Sequence, residues 1–185
     1  MKVIDIFAGC GGMSLGFANA GYEIVAAFDN WDAAINVYRQ NFTHPIFKQD
    51  LATIQDYTAF QELRPDVIIG GPPCQDFSHA GKRDENGGRA DLTISFAEII
   101  CAVQPQFFVM ENVERAVTTQ RYKAAMAMFT KSGYGLTLRI LDASYCGVPQ
   151  KRKRSFLIGG RGERENFLQA YLDAGLSQQA MTVRQ

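Results

Sequence analysis

The chain contains no stretch of about 18 apolar residues, so nothing in it reads as a bilayer-spanning helix. Its N-terminus, Met1-Lys2-Val3-Ile4-Asp5-Ile6-Phe7, reads as a strand and lacks the layout of a signal peptide. A cytoplasmic protein with no membrane partner is expected. Cysteine is scarce as well: Cys10, Cys74, Cys101 and Cys146 lie far apart, without CxxC spacing or the density of a disulfide scaffold. The two histidines, His44 and His79, show no metal-ligand spacing, so no metal is expected. Net charge is absent, with 19 basic against 19 acidic groups, which argues weakly against nucleic-acid binding. Internal repeats and low-complexity segments are missing too.

What is present fits one soluble globular domain: 185 residues, 46% hydrophobic and 21% charged. The charge that cancels overall is unevenly spread. Residues 1 to 66 carry four basic and eight acidic groups, whereas 151 to 164 carry six basic groups and Glu163 alone. A basic partner surface would therefore lie towards the C-terminus.

Short branched apolar runs alternate with amphipathic stretches. Val3 to Phe7, Tyr22 to Phe28, Val67 to Gly70 and Gln106 to Met110 read as strands, with a further short one near Ile46 and Phe47. Helices are expected near 12 to 20, 31 to 42, 91 to 103 and 115 to 132. This alternation predicts an α/β, doubly wound and mostly parallel sheet. Two later runs, Leu136 to Leu141 and Ser155 to Ile158, have no room for a crossover helix between them, so they predict a C-terminal antiparallel hairpin at one sheet edge. The longest irregular stretch, 71 to 90, is read as functional.

The first strand runs into Phe7-Ala8-Gly9-Cys10-Gly11-Gly12, where glycines let the backbone approach a ligand and expose a helix N-terminus. The spacing lacks the third glycine of the dinucleotide pattern, and a tight packing turn is the plain alternative. The second strand ends at Phe28-Asp29-Asn30-Trp31. Asp29 there either holds ribose hydroxyls or caps the next helix, and Asp32 is a second capping candidate. Asp50, after the short strand, is placed to accept a hydrogen bond from an adenine amino group.

The most informative segment is Gly70-Gly71-Pro72-Pro73-Cys74-Gln75-Asp76-Phe77-Ser78, at the carboxyl end of a predicted parallel strand, where ligands bind in open α/β sheets. Two prolines keep the preceding backbone extended and rigid, aiming the Cys74 thiol. Cys101, by contrast, sits inside an apolar run, and the three cysteines other than Cys74 are expected only to pack. The next strand end supplies Met110-Glu111-Asn112-Val113. A carboxylate after a wholly apolar run should have a raised pKa and be able to donate a proton, the alternatives for Glu111 being a salt bridge or a helix cap. Then Gln150-Lys151-Arg152-Lys153-Arg154 leads into the last strand, where alternation puts Arg152 and Arg154 on one face. Taken alone, that cluster reads as solvated strand-edge charge.

Taken in order, FAGCGG, GGPPCQDFS, ENV and QKRKR resemble the cytosine-C5 DNA methyltransferase family across nearly the whole chain. The resemblance implies a methyltransferase-type fold, S-adenosyl-L-methionine as cofactor and DNA with a target cytosine as partner. It implies that Phe7 stacks on the adenine, that Gly9 and Gly11 line the methionine moiety and that Asp50 faces the adenine amino group. Gly12, Asp29, Asn30, Trp31, Leu51 and Pro72 would be further cofactor-binding positions. Cys74, Glu111, Arg152 and Arg154 match the catalytic positions. Cys74 would add to C6 of a flipped cytosine, Glu111 would engage N3 and the exocyclic amine, and Arg152 would hold the O2 side. The loop Asp76 to Arg89, with Gly81, Gly87 and Gly88 as hinges, resembles the family's active-site lid, and His79 within it is a candidate DNA contact.

The sequence departs from the family pattern at Asn30, where many members carry a ribose-binding glutamate. Residues 1–185 are expected to be a single cofactor-binding and catalytic domain that stops before a target-recognition domain, as one subunit of a split enzyme, a truncated product or a fragment would; in a split enzyme a second polypeptide carrying that domain would be a partner. A bacterial restriction-modification methylase acting on DNA in the cytoplasm is the leading reading. Its rivals are a transfer-RNA cytosine-C5 methyltransferase, against which the lack of Cys-Phe-Thr in 113 to 149 speaks, an inactive regulatory homologue, and a nicotinamide-dependent oxidoreductase, which leaves Pro-Pro-Cys-Gln without a role.

Overall fold

A computed structural model describes residues 1–73 and 91–183. Strands β1 (Lys2–Ile6), β2 (Glu23–Asp29), β3 (Ile46–Lys48), β4 (Val67–Gly70), β5 (Phe107–Val113), β6 (Tyr134–Asp142) and β7 (Lys153–Arg161) form one sheet in the order β3-β2-β1-β4-β5-β7-β6. The first five are mutually parallel, and β7 runs antiparallel to both β5 and β6. Strand order reverses between β1 and β4, and ligands in this architecture bind outside the carboxyl ends at such a reversal.

The central strands are apolar on both faces because helices cover both. Ile4, Ile6 and Ile68 face a cluster with Phe96, Ile99 and Ile100 of α4 (Leu92–Val103) and Phe129 of α5 (Gln120–Lys131). Val3, Val67 and Ile69 face Met13 and Phe17 of α1 (Gly12–Asn19), while Ala27 and Ile46 pack on Ile35 and Tyr38 of α2 (Asp32–Asn41). Such two-sided burial removes the polar alternation expected of a half-solvated strand. Among the described residues no helix is long and apolar enough to cross a membrane.

Three differences from the sequence reading have physical causes. β5 does not stop at Met110 but continues to Val113, because β7 pairs with it as far as Arg154. The helix expected over 115 to 132 is broken, with a 3-10 turn at Glu114–Thr118 and then α5, whose first turn is capped by Thr119 Oγ1 accepting from Tyr122 N at 3.2 Å. Two short helices were not expected: α3 (Thr58–Glu62), which buries Phe60, and α6 (Gln169–Ala174), which has no buried residue. Neither is long enough to show a helical period in sequence.

Candidate active site

The turn after β1 is shaped by backbone conformation. Phe7, Gly9 and Gly11 all have positive φ (59°, 55° and 93°), and Gly11 N donates to Ala8 O at 2.9 Å before α1 begins at Gly12. A β-carbon on Gly11 would run into the rings of Phe42 and Tyr38, so glycine is required there both by φ and by space. Asp29 braces the turn from β2: its Oδ2 accepts from Gly9 N at 2.7 Å and its Oδ1 from Trp31 N at 2.8 Å. Asp29 thus combines bracing with a place on a cavity wall, while α2 starts later, at Asp32, without a side-chain cap.

Beneath the turn lies a buried polar chain. Ser14 Oγ donates to Asp5 Oδ2 at 2.6 Å, Ser14 Oγ and Tyr38 OH share a bond of 2.7 Å, and Tyr38 OH lies 2.6 Å from His44 Nε2. Burial pushes the Asp5 carboxyl up to about 7, against the opposing pull of its hydrogen bonds from Ser14, and the nearby charge of Asp29 adds to the rise. Burial also lowers the pKa of His44.

Two cavities open side by side at this end of the sheet. The larger, about 640 Å³, is bounded by Phe7, Gly9, Gly12, Gly71, Glu111, Arg152 and Arg154, with Cys10 and Cys146 also on its wall. The smaller, about 280 Å³, is bounded by Asp29, Asn30, Trp31, Asp50, Leu51 and Pro73. Phe7, Gly9 and Gly71 border both, so the two spaces meet over the carboxyl ends of β1 and β4. The smaller space combines apolar surface with charge: the buried Leu51 side chain, the largely exposed Trp31 ring, and two carboxylates on its rim.

The larger cavity carries the charge. Arg154 Nε lies 3.0 Å from Glu111 Oε1, with both side chains about a quarter exposed. Burial raises the Glu111 pKa, while the charges of Arg154 and Arg152 and the Arg154 hydrogen bond lower it; burial is the larger effect. The ion pair by itself favours the carboxylate, yet the net balance keeps the proton on Glu111 to higher pH than on a free glutamate. A β-carbon on Gly71 would come to 3.3 Å of Glu111 Oε2, so the bare glycine leaves that oxygen open space.

Asn112, next along β5, points away from Glu111 and ties down the loop that leads to Cys74. Its Nδ2 donates to Pro72 O at 3.1 Å, and its own carbonyl accepts from Ser155 Oγ of β7 at 3.2 Å.

Of the residues singled out from sequence, Phe7, Gly9 and Gly12 border the larger cavity with Glu111, Arg152 and Arg154, and Asp29, Asn30, Trp31, Asp50 and Leu51 border the smaller one. Two stand elsewhere. Gly11 packs against Phe42 and Tyr38, and Pro72 is buried under Asn112, leaving Pro73 on the cavity wall. Cys74, His79, the loop Asp76 to Arg89 and its glycines lie outside the described residues. The expectation that the other cysteines only pack holds for Cys101, which sits against the core, and fails for Cys10 and Cys146, which are exposed on the cavity wall. Sequence reasoning assigned no role to Asn112 or Asp5. Asn112 was visible inside ENV, but Asp5 gave no local signal, since its hydrogen bond comes from Ser14 of α1, which Tyr38 of α2 holds in turn.

Comparison with known proteins agrees with this geometry. The family model described as C-5 cytosine-specific DNA methylase matches residues 1–184. Type II methyltransferase M.HgiDI of Herpetosiphon aurantiacus is 56% identical over 185 residues, which is 100% of this chain and 60% of that protein. Type II methyltransferase M.HindV of Haemophilus influenzae is 54% identical, again over 100% of this chain and 61% of its own length. Among solved structures, a mutant DNMT2 of Spodoptera frugiperda superposes with a TM-score of 0.75 at 25% identity, covering 88% of this chain and 50% of that one. The chain therefore spans about 60% of the length of these two curated relatives.

Proposed function

The chain belongs to the C-5 cytosine-specific DNA methylase family, and from that premise we propose that it forms the catalytic part of an enzyme that methylates C5 of a flipped cytosine in DNA. The observation that carries the proposal is the junction of the two cavities: a space walled by Leu51, Trp31 and the carboxylates of Asp29 and Asp50 on one side, Glu111 with its two arginines on the other, and Phe7, Gly9 and Gly71 between them.

The residues present suit S-adenosyl-L-methionine. Phe7 and Leu51 offer apolar surface to an adenine, Asp50 a carboxylate to its amino group, and Asp29 and Asn30 polar atoms to the ribose. Gly9 and Gly12 leave the turn free of side chains where the amino-acid portion would lie. When bound there, the group supplies an electrophilic methyl.

This chain's residues do the rest. Cytosine C5 is a poor nucleophile until something adds across the neighbouring double bond. Cys74 thiolate forms a bond to C6, and the electron pair displaced from the C5–C6 bond moves into the ring. Protonated Glu111 donates to N3 and drains that charge, while Arg154 holds its other oxygen in place and Arg152 grips the O2 side. Once C5 carries its methyl, water in the pocket takes the C5 proton, the freed electron pair re-forms the C5–C6 double bond, the C6–S bond breaks with Cys74 leaving as thiolate, and the N3 proton returns to Glu111. Pro72 and Pro73, fixed through the Asn112 bond, set the direction from which Cys74 arrives. A paired base cannot reach this pocket, so the target nucleotide is turned out of the duplex.

We take residues 1–185 as one catalytic domain, with sequence recognition supplied by a further domain or polypeptide, and the system as a bacterial restriction-modification methylase. The family description, C-5 cytosine-specific DNA methylase, supports DNA over transfer RNA, and the intact Pro-Cys-Gln and ENV residues speak against an inactive regulator. The test is nucleoside analysis by mass spectrometry after incubation with labelled cofactor and either duplex DNA or transfer RNA, in the presence of the recognition polypeptide where one is needed. 5-Methylcytosine in DNA alone is the expected result. Label in RNA alone would replace this reading with the RNA enzyme.

A further inference from the structure

The loop between β6 and β7 brings Arg152 to the larger cavity, and a single carboxylate sets its shape. Asp142, the last residue of β6, accepts three hydrogen bonds on Oδ1: from Ser144 N at 3.1 Å, Ser144 Oγ at 2.8 Å and Arg152 N at 3.2 Å. The first two close a local turn of the common aspartate type. The third spans ten residues. Beside it, Ala143 N donates to Arg152 O at 3.0 Å, so both main-chain polar groups of Arg152 are held from the opposite side of the loop. Between them the chain has little regular structure: the 3-10 turn Ala143–Tyr145, then Gly147 at positive φ. The hydrogen bonds from Ser144 and Arg152 and the charge of Lys153 hold the Asp142 carboxyl below the usual range, so it stays ionised as an acceptor.

An arginine side chain has many rotamers, about 2 kcal/mol of rotamer freedom. Its guanidinium is delivered to one place only if its Cα is fixed, and misplacement by about 1 Å is enough to cost roughly 100-fold in rate. The same turn is braced from outside, where Ser177 N donates to Tyr145 O at 2.9 Å and Met181 N to Ser144 O at 2.7 Å.

We propose that Asp142 is a positioning residue for the methyl-transfer reaction: by holding the backbone of Arg152 across the β6–β7 loop, it fixes where that guanidinium meets the flipped base, without touching cofactor or base itself. The proposal rests on the reading of Arg152 given above. It predicts a specific division of effects, because the smaller cavity has no wall on this loop.

The test compares Asp142→Ala, Asp142→Asn, Arg152→Ala and the Asp142→Ala/Arg152→Ala double variant in the active methyltransferase that contains the whole chain. Asp142→Ala should lower kcat about 10- to 100-fold, leave the Kd for S-adenosyl-L-methionine within about two-fold, and speed deuterium exchange of the Arg152 amide. Asp142→Asn keeps an Oδ1 acceptor and should recover most of the rate and the amide protection. The double variant should be no slower than Arg152→Ala, because both remove the same contribution. Asn and Ala variants of equal rate, an unchanged Arg152 amide, or effects that multiply in the double variant would overturn the proposal. A fully active Arg152→Ala enzyme would instead overturn the base-holding reading, and protection of the Arg152 amide would still show whether Asp142 holds that backbone.

Discussion

The parallel half of the sheet and its antiparallel edge build their shares of the site from different materials. On the β1–β2 side the surface is made of backbone: a left-handed turn, bare glycines, and the Asp29 carboxylate spent on Gly9 and Trp31 amides. On the β5–β7 side it is made of ionisable side chains, with Glu111 paired to Arg154 and Arg152 nearby. A backbone cradle grips a ligand that is the same in every turnover. Charged side chains respond to electron flow during reaction. The first half should therefore govern cofactor affinity and the second the chemical step.

The sharpest challenge to that division is Glu111→Gln, which keeps the shape and removes the ionisable proton. The rate should fall about 100- to 10,000-fold, with cofactor Kd nearly unchanged in a calorimetric titration. A comparable rise in Kd would erase the distinction between the two sides. In the intact enzyme, burial raises the Glu111 pKa, and the proposed mechanism, which uses the protonated form, predicts that the rate falls as pH rises through that elevated pKa; Glu111→Gln should lose this limb of the pH–rate profile.

Asp29→Ala tests the opposite side. Losing both amide contacts should loosen the glycine turn and weaken cofactor binding about 10-fold, as expected for charge-assisted hydrogen bonds of about 1.5–3 kcal/mol. With cofactor saturating, kcat should change much less. A pure kcat defect would put Asp29 in the wrong half.

Gly11→Ala should act through folding. The positive φ costs about 1–2 kcal/mol for an L-residue, and the clash with Phe42 and Tyr38 adds about 1–3. Thermal unfolding should show a Tm several degrees lower, and an unchanged Tm would mean that the turn is less constrained than its geometry indicates.

Asp5 gives an effect seen only as a dependence on pH. The folded protein holds its proton up to about 7, whereas an unfolded chain releases it near 3.8. Between those values the folded form binds the extra proton, so Asp5's contribution to stability is greatest at low pH and is lost as pH rises through that window. Asp5→Asn should flatten the decline in denaturation midpoint between about pH 4 and 7. An unaltered slope would assign the decline to Glu111 instead, whose shift has the same sign.

The contrast between the halves also explains what could be read from sequence. β1, β2 and β4 announce themselves because burial on both faces makes them continuous apolar runs. The glycine turn and the ENV and QKRKR segments are contiguous, so their residues are visible as words. Asp142 is different: Asp-Ala-Ser-Tyr reads as an ordinary surface turn, and nothing local tells that its carboxylate reaches Arg152. Asp5 sits in a strand, bonded to Ser14 nine residues on, which in turn bonds Tyr38 a further 24 residues along the chain. The end of β5 was also misread, because only pairing with β7 reveals that Glu111 still belongs to a strand. Local chemistry is legible, and contacts between distant elements are not.

The most direct test of the account is covalent trapping. The enzyme, with its recognition polypeptide where needed, is incubated with cofactor and duplex DNA carrying 5-fluorocytosine at target positions, whose fluorine blocks the final elimination, and the products are resolved by denaturing electrophoresis and peptide mass spectrometry. The account predicts a stable protein–DNA adduct mapped to Cys74 and absent from Cys74→Ser. Methylation of ordinary DNA in the same reaction, with no adduct at Cys74 on the fluorinated DNA, would contradict it.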